Sequence, residues 1–202
     1  MTTTLRAIAA VAALALAAPA LAQQSPNQPR LGLGVSFNST VLGVQPLVTD
    51  TAAFVRPKFY VPIFLAPNVR IEPEIGWLKT KNDNDSTTNS AFDLGVGAMI
   101  LKAVNPAVDL YGGARLSLVW VKTEQIVGGG AFQRVEQRNF AFAPVFGGEY
   151  KPSPWFSVGV EAQLNLIFLG DEDVWTNGVK TTGSGGDAQT LEGLAFLRVY
   201  FL

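Results

Sequence analysis

The stretch Val69-Arg70-Ile71-Glu72-Pro73-Glu74-Ile75-Gly76-Trp77 decides the fold: Val69, Ile71, Ile75 and Trp77 share one parity, and Arg70, Glu72, Glu74 and Gly76 share the other. Successive side chains of an extended strand point to opposite faces, so a period of two gives this segment one greasy side and one charged side. The same division recurs on either side of it. Leu31, Leu33, Val35 and Phe37 alternate with Gly32, Gly34, Ser36 and Asn38, while Val55, Phe59, Val61, Ile63 and Leu65 oppose Arg56, Lys58 and Tyr60. Downstream, Phe92, Leu94, Val96, Ala98 and Ile100 oppose Asp93, Gly95 and Gly97, and Leu110, Leu116, Leu118 and Trp120 oppose Asp109, Tyr111, Arg115 and Ser117. Phe140, Phe142, Phe146 and Tyr150 oppose Ala141, Ala143, Gly147 and Glu149; the apolar positions from Phe156 to Phe168 oppose Ser157, Glu161, Gln163 and Asn165. In the last segment Gly193, Ala195, Leu197, Val199 and Phe201 oppose Glu192, Arg198 and Tyr200, with Leu194 and Phe196 on the charged side.

Charge tests the pattern independently of hydrophobicity. The four segments that hold more than one charge place all of them on a single parity. Connections supply a second test: Ala66 to Asn68, Ala103 to Ala107 and Lys151 to Pro154 are short, whereas Thr40 to Ala53, Lys79 to Asn89, Thr123 to Arg138 and Gly170 to Thr190 are long and polar. Short turns alternating with long loops mark an up-and-down barrel with both termini on the short-turn side. Segments of about 9 to 11 alternating residues fit a tilted transmembrane strand. Aromatics gather at the segment ends, with Phe37, Trp77, Phe92, Trp120, Phe140 and Phe168 toward the loops and Tyr150, Phe156 and Phe201 toward the turns, as interfacial girdles do. The expectation is an all-β, eight-stranded antiparallel transmembrane barrel. Pro57, Pro62, Pro73 and Pro144 lie inside its strands and predict bulges and register shifts, because a closed barrel has no edge at which a missing N–H goes unnoticed.

The N-terminus supports export. Met1 to Arg6 carries one positive charge, Ala7 to Ala18 is an Ala/Leu-rich run, and Ala20-Leu21-Ala22 offers the small residues of a signal peptidase site. Residues 1–22 are therefore expected to be a cleaved signal peptide, and residues 23–202 the barrel domain. Of the 202 residues 48% are hydrophobic and only 15% charged, against roughly a quarter charged in ordinary soluble chains, so water-facing surface is scarce. A net charge of −1 argues against nucleic acid as a partner. Cysteine is absent, which removes disulfides, thiolate metal sites and a lipoprotein anchor.

The chain has no histidine, which excludes serine–histidine hydrolysis, histidine-dependent acyl transfer and imidazole metal sites. What chemistry remains sits on the inner parity: Arg56, Lys58, Arg70, Glu72, Glu74, Asp93, Asp109, Arg115, Glu149, Glu161, Glu192 and Arg198. A barrel of eight strands is just wide enough for side chains to fill, and unpaired charges there are costly. Arg56, Lys58, Arg70, Glu72, Glu74, Arg115, Glu161 and Arg198 are thus the expected lumen ion-pair network. Glu72 and Glu74 as an acid–base pair are the competing reading. Gly128-Gly129-Gly130 and the run from Gly183 to Gly186 lack the Gly-Lys-Ser/Thr of a phosphate-binding loop. Asp171-Glu172-Asp173 lacks EF-hand spacing and reads as a solvated acidic loop tip. Trp175, in a polar Gly-rich loop, is the candidate contact residue for a partner.

Taken together, the signal peptide, the eight alternating segments, Asn105-Pro106, Lys151-Pro152-Ser153-Pro154 and the ending Arg198-Val199-Tyr200-Phe201-Leu202 resemble the small outer-membrane β-barrels that include the OmpA transmembrane domain and the opacity proteins. Those barrels commonly end on an aromatic, whereas here Leu202 follows Phe201. The resemblance implies a monomer of the cell outer membrane with a plugged polar lumen, serving envelope structure and surface contact or adhesion through four extracellular loops. It implies no catalytic activity, cofactor or metal. The partners it implies are outer-membrane lipid and lipopolysaccharide, the barrel assembly machinery and an extracellular ligand on the loops. A narrow porin-like channel for small solutes is the alternative.

Overall fold

The structure, a computed structural model, describes residues 31–39, 57–82, 86–127 and 130–201. The expected signal peptide with its expected cleavage before Gln23, Arg56, the Thr40–Ala53 connection, Gly128, Gly129 and Leu202 lie outside the described residues. The strands are β1 (Leu31–Ser39), β2 (Pro57–Tyr60), β3 (Ile63–Ala66), β4 (Val69–Asn82), β5 (Thr87–Asn105), β6 (Val108–Val127), β7 (Ala131–Ser153), β8 (Phe156–Thr176), β9 (Val179–Gly183) and β10 (Asp187–Phe201). Among the described residues the antiparallel ladders run β1, β2 with β3, β4, β5, β6, β7, β8 and β10. The last ladder, from Leu31↔Phe201 to Ser39↔Gly193, returns to the first strand and closes a ring of eight. Closure removes the edges, which is what lets a sheet cross hydrocarbon with its backbone satisfied.

The faces sort as the alternation requires. Leu33, Trp77 and Val160 point outward at 57%, 66% and 66% exposure, while Arg70, Glu72 and Ser157 point inward at 0%. A soluble barrel has the opposite arrangement, apolar inside and polar outside. Here the outer surface is the greasy one. Phe140 and Tyr150 bound it on β7, and the ten residue-to-residue steps from one to the other, at about 3.3 Å each and a tilt of roughly 40°, span about 25 Å, the height of an outer-membrane apolar band.

On one side of the ring, strands are joined by two-residue turns, Pro67-Asn68, Pro106-Ala107 and Pro154-Trp155. Each begins with a proline, whose fixed φ pre-sets the first turn position. In the second, the Asn105 side-chain oxygen accepts from the Ala107 N–H at 2.9 Å. On the other side, much of what reads as loop is strand. β4 to β8 run 14, 19, 20, 23 and 21 residues, so the polar stretches after Lys79, Thr123 and Gly170 continue as paired hairpins beyond the greasy band. The period-two signal fades there because both faces meet water, while the backbone ladder persists.

The prolines behave differently from the register shifts expected of them. Pro62 does interrupt a strand, separating β2 from β3, yet Tyr60↔Glu74 and Ile63↔Ile71 keep one register across the gap. The gap faces Pro73, whose carbonyl accepts from the Val61 N–H at 3.0 Å. Pro144 pairs with Ala114, and the ladder to β8 keeps its register from Phe142↔Leu166 to Val145↔Gln163. Pro57 opens β2 opposite Phe37. The shifts lie elsewhere, at Phe64/Ala66, Ala103/Asn105 and Tyr150/Ser153 beside the tight turns, and at Gln137/Asn139, where β8 carries one extra residue. A missing N–H removes one ladder bond; it does not force an insertion when neighbouring rungs hold the strand.

Candidate functional site

The lumen is where the polar chemistry collects, and its supports are sequence-local. Alternation on β4 points Arg70, Glu72 and Glu74 inward in succession; β6 adds Arg115, β7 Glu149, β8 Glu161 and β10 Arg198. Arg115 is the hub. Its guanidinium meets Glu72 at 2.7 Å, Glu74 at 2.8 Å and Glu161 at 2.8 Å, joining β4 to β8 across the interior. Lys58 extends the chain outward, to Glu74 at 3.0 Å and Asp93 at 3.2 Å. Toward the turns, Arg198 bridges Glu72 at 2.8 Å and Glu149 at 2.5 Å, and Arg70 bridges the same two carboxylates at 2.8 Å each. Hydroxyls and an amide supply further donors. Ser157 donates to Glu149 at 2.6 Å, Tyr111 to Glu161 at 2.8 Å and Gln163 to Glu161 at 2.5 Å; Tyr200 also donates to Glu149.

Aromatic faces pack the guanidinium groups. Arg198 lies 3.9 Å from the Phe196 ring centre and 5.1 Å from that of Tyr60, and Arg70 lies 5.2 Å from that of Tyr111. Cations desolvated against ring faces gain attraction that water would otherwise supply. Tyr60, Met99, Leu101, Tyr111, Ala143, Val145 and Phe196 form an apolar cluster beside the ion pairs, so the interior is part charged, part greasy. This accounts for Phe196 on the charged parity of the last segment.

Room for these rings comes from opposing glycines. Gly147 is the rung partner of Tyr111, and a Cβ added to it would lie 2.4 Å from the phenol ring; Gly34 stands to Tyr60 in the same way, at 2.2 Å.

The structure thus brings Lys58, Arg70, Glu72, Glu74, Arg115, Glu161 and Arg198 into one connected set, with Arg56 outside the described residues. It adds Glu149, which was legible as an inner-parity acid but not as a partner of Arg70, 79 residues away in sequence. Asp109 stands apart, paired with Lys151 at 2.7 Å near the turns. Glu192 sits opposite Gln163 on the β8–β10 ladder.

Trp175 lies in β8 rather than in a loop, with Arg134 5.5 Å and Lys180 5.1 Å from its ring centre. Glu172 and Asp173 also belong to β8 and are not a loop tip. The Lys180 ammonium at 2.9 Å and the Thr182 hydroxyl at 2.9 Å hold the Asp173 carboxyl below the usual range. Among the described residues no group of three or more Asp or Glu is arranged to hold a metal ion.

The sequence profile of the outer membrane protein beta-barrel domain matches residues 8–183. The chain belongs to that family. Its place in the cell is accordingly the outer membrane. No curated protein sequence matches it. Among solved structures, this outer membrane β-barrel is similar to Neisserial surface protein A, with 16% identity, a TM-score of 0.50, and 85% of this chain and 96% of that one covered. It is also similar to a major outer membrane protein from Thermus thermophilus, at 11% identity and a TM-score of 0.52, covering 84% and 98% of the two chains. The attachment invasion locus protein Ail of Yersinia pestis follows, at 10% identity, a TM-score of 0.49, and 86% and 98% covered. At these identities the likeness is one of fold.

Proposed function

We propose that this outer membrane β-barrel is a non-conducting envelope protein whose long hairpins face the cell exterior and make contacts there, with its turns and both termini in the periplasm. The observation that carries the reading is the Arg115 hub. A guanidinium bonded to three carboxylates from β4 and β8, continuous with Arg70, Arg198 and Glu149, crosses the interior through which a solute would have to pass. Such a set rigidifies the ring and ties each of its own acids and bases to a partner, which supports a role without catalysis. The extended β5 to β8 support a contact role, because they raise paired strands well above the greasy band. An extracellular ligand meeting those hairpins, the assembly machinery and the surrounding lipid are the partners this reading names, and the barrel acts as a monomer.

Planar-bilayer recording tests it. The folded protein is expected to show no steady conductance at moderate voltage. Large, stable openings would replace this reading with the narrow-channel one.

A further inference from the structure

Asparagine followed by glycine occurs once in the chain, at Asn177-Gly178. The pair forms the two-residue turn from β8 into β9, with both residues exposed and both at positive φ. Its carboxamide is held on one side. The Asn177 Oδ1 accepts from the Phe132 N–H at 3.2 Å, and the Asn177 N–H donates to the Phe132 carbonyl at 3.1 Å, which ties the turn to the start of β7. Thr176 and Val179 are rung partners, so the hairpin closes on their backbones and leaves the Gly178 N–H outside the ladder. A Cβ built on Gly178 would meet nothing within 4 Å.

These are the parts of an intramolecular acyl substitution. The Gly178 nitrogen is the nucleophile, and the Asn177 side-chain carbonyl carbon, Cγ, stands where the two close a five-membered ring. Holding both on one chain supplies the proximity that a bimolecular attack lacks. The Phe132 N–H points at the oxygen on which negative charge develops, as an oxyanion donor does. That bond engages Oδ1 and leaves the departing amino group out of it. Ring closure requires rotation about the Asn177 Cα–C bond, which swings the Gly178 peptide, and the open space around Gly178 lets it swing. Elsewhere the combination is incomplete. Asn105 precedes Pro106, which has no N–H to attack with, and Asn68 precedes the β-branched Val69. Asn89, Asn139 and Asn165 lie inside ladders and precede Ser90, Phe140 and Leu166.

We propose that Asn177 is a self-modification site, at which the Gly178 amide nitrogen displaces ammonia from the Asn177 carboxamide. The Gly178 N to Asn177 Cγ bond forms, the Cγ–Nδ2 bond breaks, and the proton of the attacking nitrogen leaves with the ammonia. Water then opens the succinimide. Opening at Cγ gives aspartate, and opening at the backbone carbonyl gives isoaspartate. Aspartate keeps an oxygen for the Phe132 N–H and is as good a hairpin residue before glycine as asparagine. Isoaspartate runs the main chain through the side chain, adds a methylene and breaks the turn. Either product puts a negative charge at the crest of the β8–β9 hairpin, beyond the Trp175–Lys180 rung. The surface of this hairpin therefore changes charge with the age of the protein, with water as the only co-reactant. The chemistry does not depend on which way the hairpins face, so it and the contact reading fail separately.

The test is peptide mapping by mass spectrometry of the full chain, folded in phosphatidylcholine nanodiscs and aged in warm, mildly alkaline buffer. Asn177 is expected to convert about tenfold or more faster than Asn89 or Asn165, and to speed up as the pH rises. Fragmentation that cleaves at the backbone should show isoaspartate along with aspartate. Gly178→Ala should slow the conversion about tenfold by crowding the attacking nitrogen, and heat-modifiable gel mobility confirms that this variant's barrel folds. Conversion confined to the urea-unfolded chain, or no faster than at Asn89, would overturn the assignment, because the turn would then shield Cγ. Aspartate without isoaspartate, or an undiminished rate in Gly178→Ala, would overturn it as well, because water and not Gly178 would then be the attacking group.

Discussion

Arg115 holds three carboxylates that have no water to turn to. Replacing it by leucine takes from Glu161 its cation and from Glu72 and Glu74 one of theirs, and breaking a buried ionic set in this way costs about 3 to 5 kcal/mol. The expected outcome for Arg115→Leu is a matching drop in the urea midpoint for unfolding from lipid vesicles. Lys180→Ala removes only exposed contacts, the pair with Asp173 and the approach to the Trp175 ring, and should leave that midpoint nearly unchanged. Comparable losses from the two would show that the lumen pairs are not what holds the barrel. At this scale the sequence was legible as to side and silent as to partner. Alternation places Glu149, Arg70 and Arg198 on the inner face, but which of them meet depends on the stagger between strands β4, β7 and β10. No local pattern encodes that stagger. The inward aromatics were similarly visible as residues and invisible as caps on guanidinium groups.

Strand ends show a different division. The two-residue turns were readable because proline and asparagine act within four residues of chain. The long hairpins were not, since hydrophobic periodicity reports a strand only where its two faces see different media, and above the lipid they do not. One signal was there to be used: Asn177-Gly178, between Thr176 and Val179, is a two-residue hairpin dipeptide, and both residues take positive φ, 49° and 84°. It turns β8 into β9, with Thr176↔Val179 and Trp175↔Lys180 as the first rungs. Asn177→Ala with Gly178→Ala should therefore speed amide exchange and proteolysis across β9 while leaving the barrel's unfolding midpoint where it was. A fall in that midpoint would mean the upper hairpins are part of the barrel's cooperative unit.

For the whole molecule, orientation toward lipid is the property on which everything else depends. Leu116 sits between Val96 and Phe142 in an outward apolar row near mid-band, so Leu116→Arg should lower folding stability by roughly 2 to 4 kcal/mol, and Leu110→Arg, near the turn-side girdle, by less. Single cysteines sharpen the test in a chain that has none: a lipid-confined thiol reagent should label Leu118→Cys and spare its neighbour Ser117→Cys, and the reverse result would turn the barrel inside out. That same lipid-facing surface has a further property. Sliding any ladder by two residues keeps each side chain on its own face, so the hydrocarbon meets leucine, valine and phenylalanine as before and cannot tell the correct pairing from its neighbours. Inside, the slide sets Tyr111 against Val145 or Glu149 where it had Gly147, and Phe196 against Ser157 or Glu161 where it had Gly159. The membrane selects which way the wall faces; the glycine hollows and the charges they surround proofread how its staves are aligned.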